Sequence, residues 1–187
     1  MSILPLRPGD VPITPHAAPG GEARLTFIGR VHSVHATTVT APKNPAKARA
    51  QGSPARLAIY APFRPGLAGL AAFSHVIVLG WLHEARRDLI QITRPSELAP
   101  DAPVGPAGSG LAFGKTGQLK AQATGVFALR SPVRPNPISV SVARLLSVDM
   151  ATGLIEIDAI DLLDGTPLVD LKPYRPGIDA IPDAVVP

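Results

Sequence analysis

The chain has 187 residues, 22 of them proline and 17 glycine, no cysteine, and a formal charge of +4. The absence of cysteine excludes disulfides, thiolate metal sites and a cysteine nucleophile. No run approaches the roughly 18 apolar residues of a membrane-spanning helix and the N-terminus lacks an apolar signal core, so the expected location is the cytoplasm. A basic balance permits nucleic-acid binding and equally serves solubility alone.

A chain of this length is expected to form one domain burying roughly 70% of its unfolded surface. Hydrophobic residues make up 45% and aromatic residues only 4%, so the core is expected to be built from Val, Ile, Leu and Ala. The proline and glycine content disfavours long helices and predicts short strands joined by irregular loops.

Residues 1–22 carry five prolines and no periodicity, which predicts a tail or strap, with the folded domain over 23–187. Arg24 to His35 reads as a strand broken at Gly29, and Thr37 to Gly52 as a loop. Ala55 to Pro62 is a strand with Leu57 and Ile59 on one face. Leu67 to Phe73 is the one helical segment, opened by Pro65-Gly66. His75 to His83 is continuously apolar between its histidines, as a strand buried on both sides would be. Arg94 to Thr124, interrupted by prolines and then glycines, reads as a long loop. Within it Gly114-Lys115-Thr116 resembles a phosphate-binding loop, but Ser109 stands where that motif needs glycine and no buried strand precedes it.

Gly125 to Leu129 reads as a strand, and Pro132, Pro135 and Pro137 end it, because proline lacks a backbone donor and has a restricted φ. The stiff segment that follows carries Arg130, Ser131, Arg134 and Asn136. Guanidiniums on a pre-set backbone lose little entropy on meeting an anionic partner. From Ile138 the pattern has period two: Ile138, Val140 and Val142 alternate with Ser139, Ser141 and Ala143. A turn at Asp149 to Gly153 and a return through Ile155, Ile157 and Ala159 complete a hairpin. The expected fold is mainly β: a single barrel or sandwich with one short helix and long Pro/Gly-rich loops. No G-x-G-x-x-G follows any strand, which argues against a Rossmann-like sheet.

Among the acidic residues, Asp164-Gly165-Thr166-Pro167 is a turn sequence with Asp164 as turn former, and Asp170 is placed to pair with Lys172. Asp161 is the better site candidate, beside apolar Leu162 and Leu163. Asp158 is either a solvated strand residue or an acceptor for ligand hydroxyls. His75 and His83 are eight apart along one strand and His32 and His35 face opposite sides, so a metal site is not expected.

The stretch Gly125-Val-Phe-Ala-Leu-Arg-Ser-Pro-Val-Arg-Pro-Asn-Pro-Ile138 closely resembles a motif of the TrmO-type (TsaA/YaeB-like) family of S-adenosylmethionine-dependent tRNA methyltransferases. Asp161-Leu-Leu-Asp-Gly-Thr-Pro-Leu-Val-Asp-Leu-Lys-Pro-Tyr174 resembles the family's second motif, and Phe73-Ser74-His75 with His83 matches a third pattern. The resemblance implies a β-barrel, S-adenosylmethionine as cofactor and a homodimer. It implies methylation of N6 of a threonylcarbamoyl-adenosine beside the tRNA anticodon.

Carried over residue by residue, the resemblance surrounds the cofactor with Arg130, Val140, Asp158, Ala159, Ile160 and Asp161, with His83 nearby. Pro42, Lys43 and Asn44 are the loose counterpart of a cofactor-contacting segment, although the same residues also read as a solvated basic loop. Asp161 is the expected proton acceptor for the nucleophilic nitrogen. Arg134, Asn136, Lys172 and Tyr174 are expected at the tRNA. Leu129 and Ser139 depart from the family's usual Thr and Gly. Rival readings are a cofactor-binding regulatory module without transfer activity and a methyltransferase acting on a small molecule.

Overall fold

The computed structural model describes residues 6–13, 23–93 and 123–185. The Gly114-Lys115-Thr116 stretch, His16 and most of the expected 94–124 loop lie outside them. Nine strands are seen: β1 (Val11–Pro12), β2 (Gly29–His32), β3 (Ala55–Ile59), β4 (His75–Trp81), β5 (Leu89–Thr93), β6 (Ala123–Gly125), β7 (Ile138–Asp149), β8 (Leu154–Ile157) and β9 (Pro167–Pro173). Six of them close a barrel in the order β2-β3-β8-β7-β4-β9, and β1-β5-β6 form a separate small sheet. The mainly-β barrel is as expected. The second sheet was not foreseen, because β1, β5 and β6 are too short to show a period.

The barrel interior is aliphatic: Val31, Leu57, Val76, Val78, Ile155, Ile157, Ile160 and Leu168 are fully buried. Leu57 and Ile59 share the inner face of β3, and Val76, Val78 and Gly80 that of β4. On the outer face of β4, Ile77, Leu79 and Trp81 are half-buried, so both faces are apolar and only one is fully dry. Gly29 opens β2 where the chain passes close to β3: a Cβ there would lie 2.2 Å from the Ala58 carbonyl oxygen. The small sheet has its own core of Leu89, Ile92 and Val126, flanked by Leu129 and Val133.

Four elements differ from expectation. The stretch read as loop from Thr37 to Gly52 contains α1 (Pro45–Ala50). Asn44 caps it, its side chain accepting from the Lys47 amide at 2.9 Å, and Pro45 occupies the first turn, where no amide partner is needed. The expected helix at Leu67–Phe73 is instead two 3₁₀ stretches, Ala61–Leu67 and Leu70–Ala72, and a second short helix, α2 (Pro176–Asp179), lies near the C-terminus. The expected strand from Gly125 ends at Gly125. Val126–Ala128 is a 3₁₀ turn that buries Val126 and leaves Phe127 75% exposed.

The period-two pattern of β7 leaves its inward face open, and in the structure Ser141 and Ala143 are buried, whereas Val140 is 45% exposed. Space is tight where Gly80 of β4 faces Ser139, since a Cβ at Gly80 would sit 2.8 Å from Ser139 Oγ and 3.0 Å from Leu162 Cδ1. Ser139, where the family has Gly, accepts from the Gly80 amide at 3.1 Å and donates to its carbonyl at 3.2 Å.

Candidate active site

The two sequence motifs meet at one edge of β7. Its first half, Ile138 to Arg144, pairs with β4 on one side, while β8 takes up only Leu145 to Asp149 on the other. Backbone groups of an antiparallel strand point alternately to its two neighbours. Leu145 donates towards Ser74, so Val140, Val142 and Arg144 direct their backbone groups to the side that β8 has left.

Side chains cover that edge. Arg130 Nη2 donates to the Val140 carbonyl at 2.9 Å, and Arg49 Nη2 donates to the Val142 carbonyl. Asp158 Oδ1 accepts from the Arg144 amide at 2.8 Å and the Ala159 amide at 2.9 Å. Arg49 Nε completes the group at 2.8 Å from Asp158 Oδ2. From the inner face, Ser141 Oγ donates to Asp161 Oδ1 at 2.7 Å. That bond seats a carboxylate of the second motif on the strand that follows the first.

The structure thus ties Arg130, Asp158 and Asp161 to β7, Arg130 at the Val140 carbonyl, Asp158 at the Arg144 amide and Asp161 at the Ser141 hydroxyl. Ala159 and Ile160 lie between the two aspartates with their side chains buried. Pro42 is buried while Lys43 and Asn44 are exposed, and this segment is attached through α1, which packs on β7. His83 lies past the end of β4, and its recorded partner is Glu84 at 4.0 Å. No contact joins it to Arg130 or Asp161 among the described residues.

The residues expected at the tRNA are dispersed. Arg134 Nη1 donates to the Leu129 and Ser131 carbonyls at 3.2 and 3.4 Å, stapling the motif loop. The Asn136 carbonyl accepts from the Ile138 amide at 2.8 Å. Lys172 pairs with Asp170 at 2.9 Å, as the spacing suggested. Tyr174 stacks edge-on against His75 with ring centroids 6.3 Å apart. Lys172 stands opposite Ile77, which stands opposite Val142, so β4 separates it from the open edge by roughly 10 Å, two strand spacings. Asp164 sits in the expected turn, closed by the Thr166 amide donating to the Leu163 carbonyl at 3.2 Å with Gly165 at φ +77°, but its Oδ1 accepts from the distant Ser33 amide at 3.1 Å and not from within the turn.

Two members of the site were not anticipated from sequence. Ser141 was legible in principle, since the period-two pattern leaves only two choices of inward face. Arg49 was legible only through the helix it stands on. Among the described residues, no three His, Asp or Glu side chains stand close enough together to hold a metal ion. A groove of about 380 Å³ lies elsewhere, lined by Ile28, Phe63, Leu67, Phe73, Leu171 and Asp170. It shares no residue with the Arg130–Asp161 group.

Residues 30–180 match the tRNA-methyltransferase O N-terminal domain. An Archaeoglobus fulgidus protein described as a probable S-adenosyl-L-methionine-binding protein is 33% identical over 144 residues, covering 77% of this chain and 32% of that protein. A Methanothermobacter thermautotrophicus protein of the same description is 30% identical, covering 86% of this chain and 96% of its own length. The Escherichia coli tRNA (adenine(37)-N6)-methyltransferase is 32% identical over 84% of this chain and 60% of its own. The crystal structure of TrmO from Pseudomonas aeruginosa superposes with a TM-score of 0.60 at 30% identity, covering 88% of this chain and 62% of that one. The chain thus spans about a third of the Archaeoglobus relative and about three-fifths of the E. coli and Pseudomonas proteins.

S-adenosylmethionine asks a site for acceptors towards its hydroxyls and amino group and for apolar walls beside its adenine and sulfonium. Among the described residues the second oxygen of Asp161 has no partner, and exposed Val140 and Phe127 supply apolar surface, Val140 beside Arg130 and Phe127 three residues before it. The donor set fits. Two motifs in order, a closed barrel that joins them at one strand edge, and a match over most of the chain carry one conclusion: this chain belongs to the TrmO family.

Proposed function

We propose that the chain binds S-adenosylmethionine at the open edge of β7 and methylates N6 of a threonylcarbamoyl-adenosine in tRNA, in the cytoplasm. The observation that carries this reading is the 2.7 Å bond from Ser141 to Asp161, which holds an acidic residue of the second motif beside the Arg130-capped strand. The descriptions of the archaeal and E. coli relatives support the cofactor and the adenosine acceptor.

When bound, the cofactor supplies an electrophilic methyl group on its sulfonium. The chain's own residues do the rest. The acceptor nitrogen is a ureido N–H and a poor nucleophile, so transfer gains from an acceptor for its proton. Asp161 Oδ2 takes that part, with Ser141 fixing the carboxylate's orientation through Oδ1. Arg130, tethered to the Val140 carbonyl, provides a positive charge in one place. Alignment of nitrogen, methyl and sulfur supplies the remaining acceleration. Arg134, Asn136, Lys172 and Tyr174 serve the tRNA on the flanks of the site. The reading includes a homodimer, for which exposed Leu146 on β7 offers apolar surface.

The test is one incubation of the purified protein with labelled cofactor and total tRNA, followed by nucleoside analysis. Label in a methylated threonylcarbamoyl-adenosine is the expected result. Cofactor binding without transfer would make the chain a regulatory module, and transfer only to small molecules would remove the tRNA assignment. Sedimentation at several concentrations tests the dimer.

A further inference from the structure

Arg49 belongs to neither motif, yet its guanidinium spans two groups that are far apart in sequence. Nε lies 2.8 Å from Asp158 Oδ2, and Nη2 reaches the Val142 carbonyl. We infer that Arg49 is a positioning residue for the cofactor site, fastening the Pro42–Asn44 segment and α1 to the open edge of β7. This rests on the cofactor reading given above.

Three features support it. A planar guanidinium presents several donors in a fixed fork, so one side chain can hold a carboxylate and a carbonyl at once, which a lysine ammonium does with far less geometric control. The anchor is rigid: Asp158 is already fixed through Oδ1 by the amides of Arg144 and Ala159. The object fastened is weak on its own. A helix of six residues falls well short of the roughly 12–15 that are marginally stable in water, so tertiary contacts must hold α1. Its own buried residue is Ala48, whose side chain is a single methyl. Arg49 supplies the polar half of the attachment.

The ion pair is partly exposed, 40% on the Arg49 side and 23% on the Asp158 side, so it contributes little to global stability. Its loss therefore releases the segment and leaves the barrel folded. Lys43 and Asn44 are six and five residues before Arg49, at the start of the same short unit, and their position relative to Asp158 and Asp161 depends on that tether.

The experiment compares wild type, Arg49→Met, Asp158→Asn and the double variant of the full chain. Hydrogen exchange without cofactor reads the fastening directly. In Arg49→Met, exchange should rise about fivefold in peptides spanning residues 42–52 and stay unchanged in β4. Calorimetry with S-adenosylmethionine reads the positioning. Each single variant should bind about fivefold more weakly, and the double variant no worse than the weaker single, because both remove one tether. In Arg49→Met the loss should fall on KM for the cofactor rather than on the transfer rate at saturating cofactor.

Unchanged exchange in residues 42–52 would overturn the inference. So would tighter cofactor binding in Arg49→Met with weaker binding in Asp158→Asn, since Arg49 would then compete with the cofactor for the carboxylate. A wild-type protein that binds no cofactor would refute the cofactor reading and the positioning role with it. The exchange result would still show whether the tether exists.

Discussion

Replacing Asp161 by Asn separates a chemical role from a structural one. In the wild type, Oδ1 accepts from the buried Ser141 hydroxyl at 2.7 Å. An asparagine carbonyl can accept the same bond, so the side chain keeps its place and shape. What is lost structurally is the difference between a charge-assisted and a neutral hydrogen bond, about 1 kcal/mol. For a domain of this size that lowers Tm by about 2–4 °C. What is lost chemically is the negative charge and basicity facing the acceptor, and removing a general base slows transfer by about 10²–10⁴-fold, or roughly 2.7–5.5 kcal/mol. The two effects differ enough to be told apart. Single-turnover methyl transfer to tRNA at saturating cofactor measures the second, while calorimetry and thermal melting measure binding and fold. We expect a folded variant with cofactor affinity changed far less than rate. A folded Asp161→Asn protein that transfers at near the wild-type rate would leave Asp161 a structural residue and remove it from the mechanism.

Leu57 is fully buried in the barrel, so Leu57→Ala should cost about 2–5 kcal/mol in urea unfolding; a loss under half a kcal/mol would mean that this wall collapses onto the space. Asp149 closes the β7–β8 turn, and its carboxyl is held below the usual carboxylate range by the Thr152 hydroxyl at 2.6 Å and then by the Thr152 and Ala151 amides. With its folded pKa depressed, its stabilising contribution is complete above the ordinary value near 3.8 and is lost as pH falls through the folded value. Asp149→Asn should therefore flatten the acid limb of the stability profile, and an unchanged limb would dissociate this carboxylate from acid unfolding. Lys172→Ala, at a residue proposed to serve the tRNA, should reduce the slope of log affinity against log salt by about 0.7–0.9; an equal slope in filter binding would place Lys172 away from the RNA.

Much of the barrel was readable in the chain. The apolar run from His75 to Trp81, the Leu57–Ile59 alternation and the β7–β8 hairpin are local patterns, and local patterns are what periodicity reports. The two motifs likewise announced the family, since their residues stand in order along the chain. The strand β9 was hidden inside the second motif, where Asp164-Gly165-Thr166-Pro167 drew attention to the turn, yet β9 pairs with both β2 and β4 and so closes the barrel.

Tertiary structure alone decided three further things. The pattern of β7 has two phases, and pairing with β4 puts Ser141 and Ala143 on the face shared with buried Val78 and Val76. The six residues of α1 were hidden in a basic, proline-flanked stretch, because a helix that short is held by its cap and its contacts more than by its own pattern. The meeting of Arg49 with Asp158, 109 residues later in the chain, depends on where β8 leaves β7. Sequence carries the identity of each donor and acceptor, while the strand order of a closed barrel determines which of them come within reach of one another.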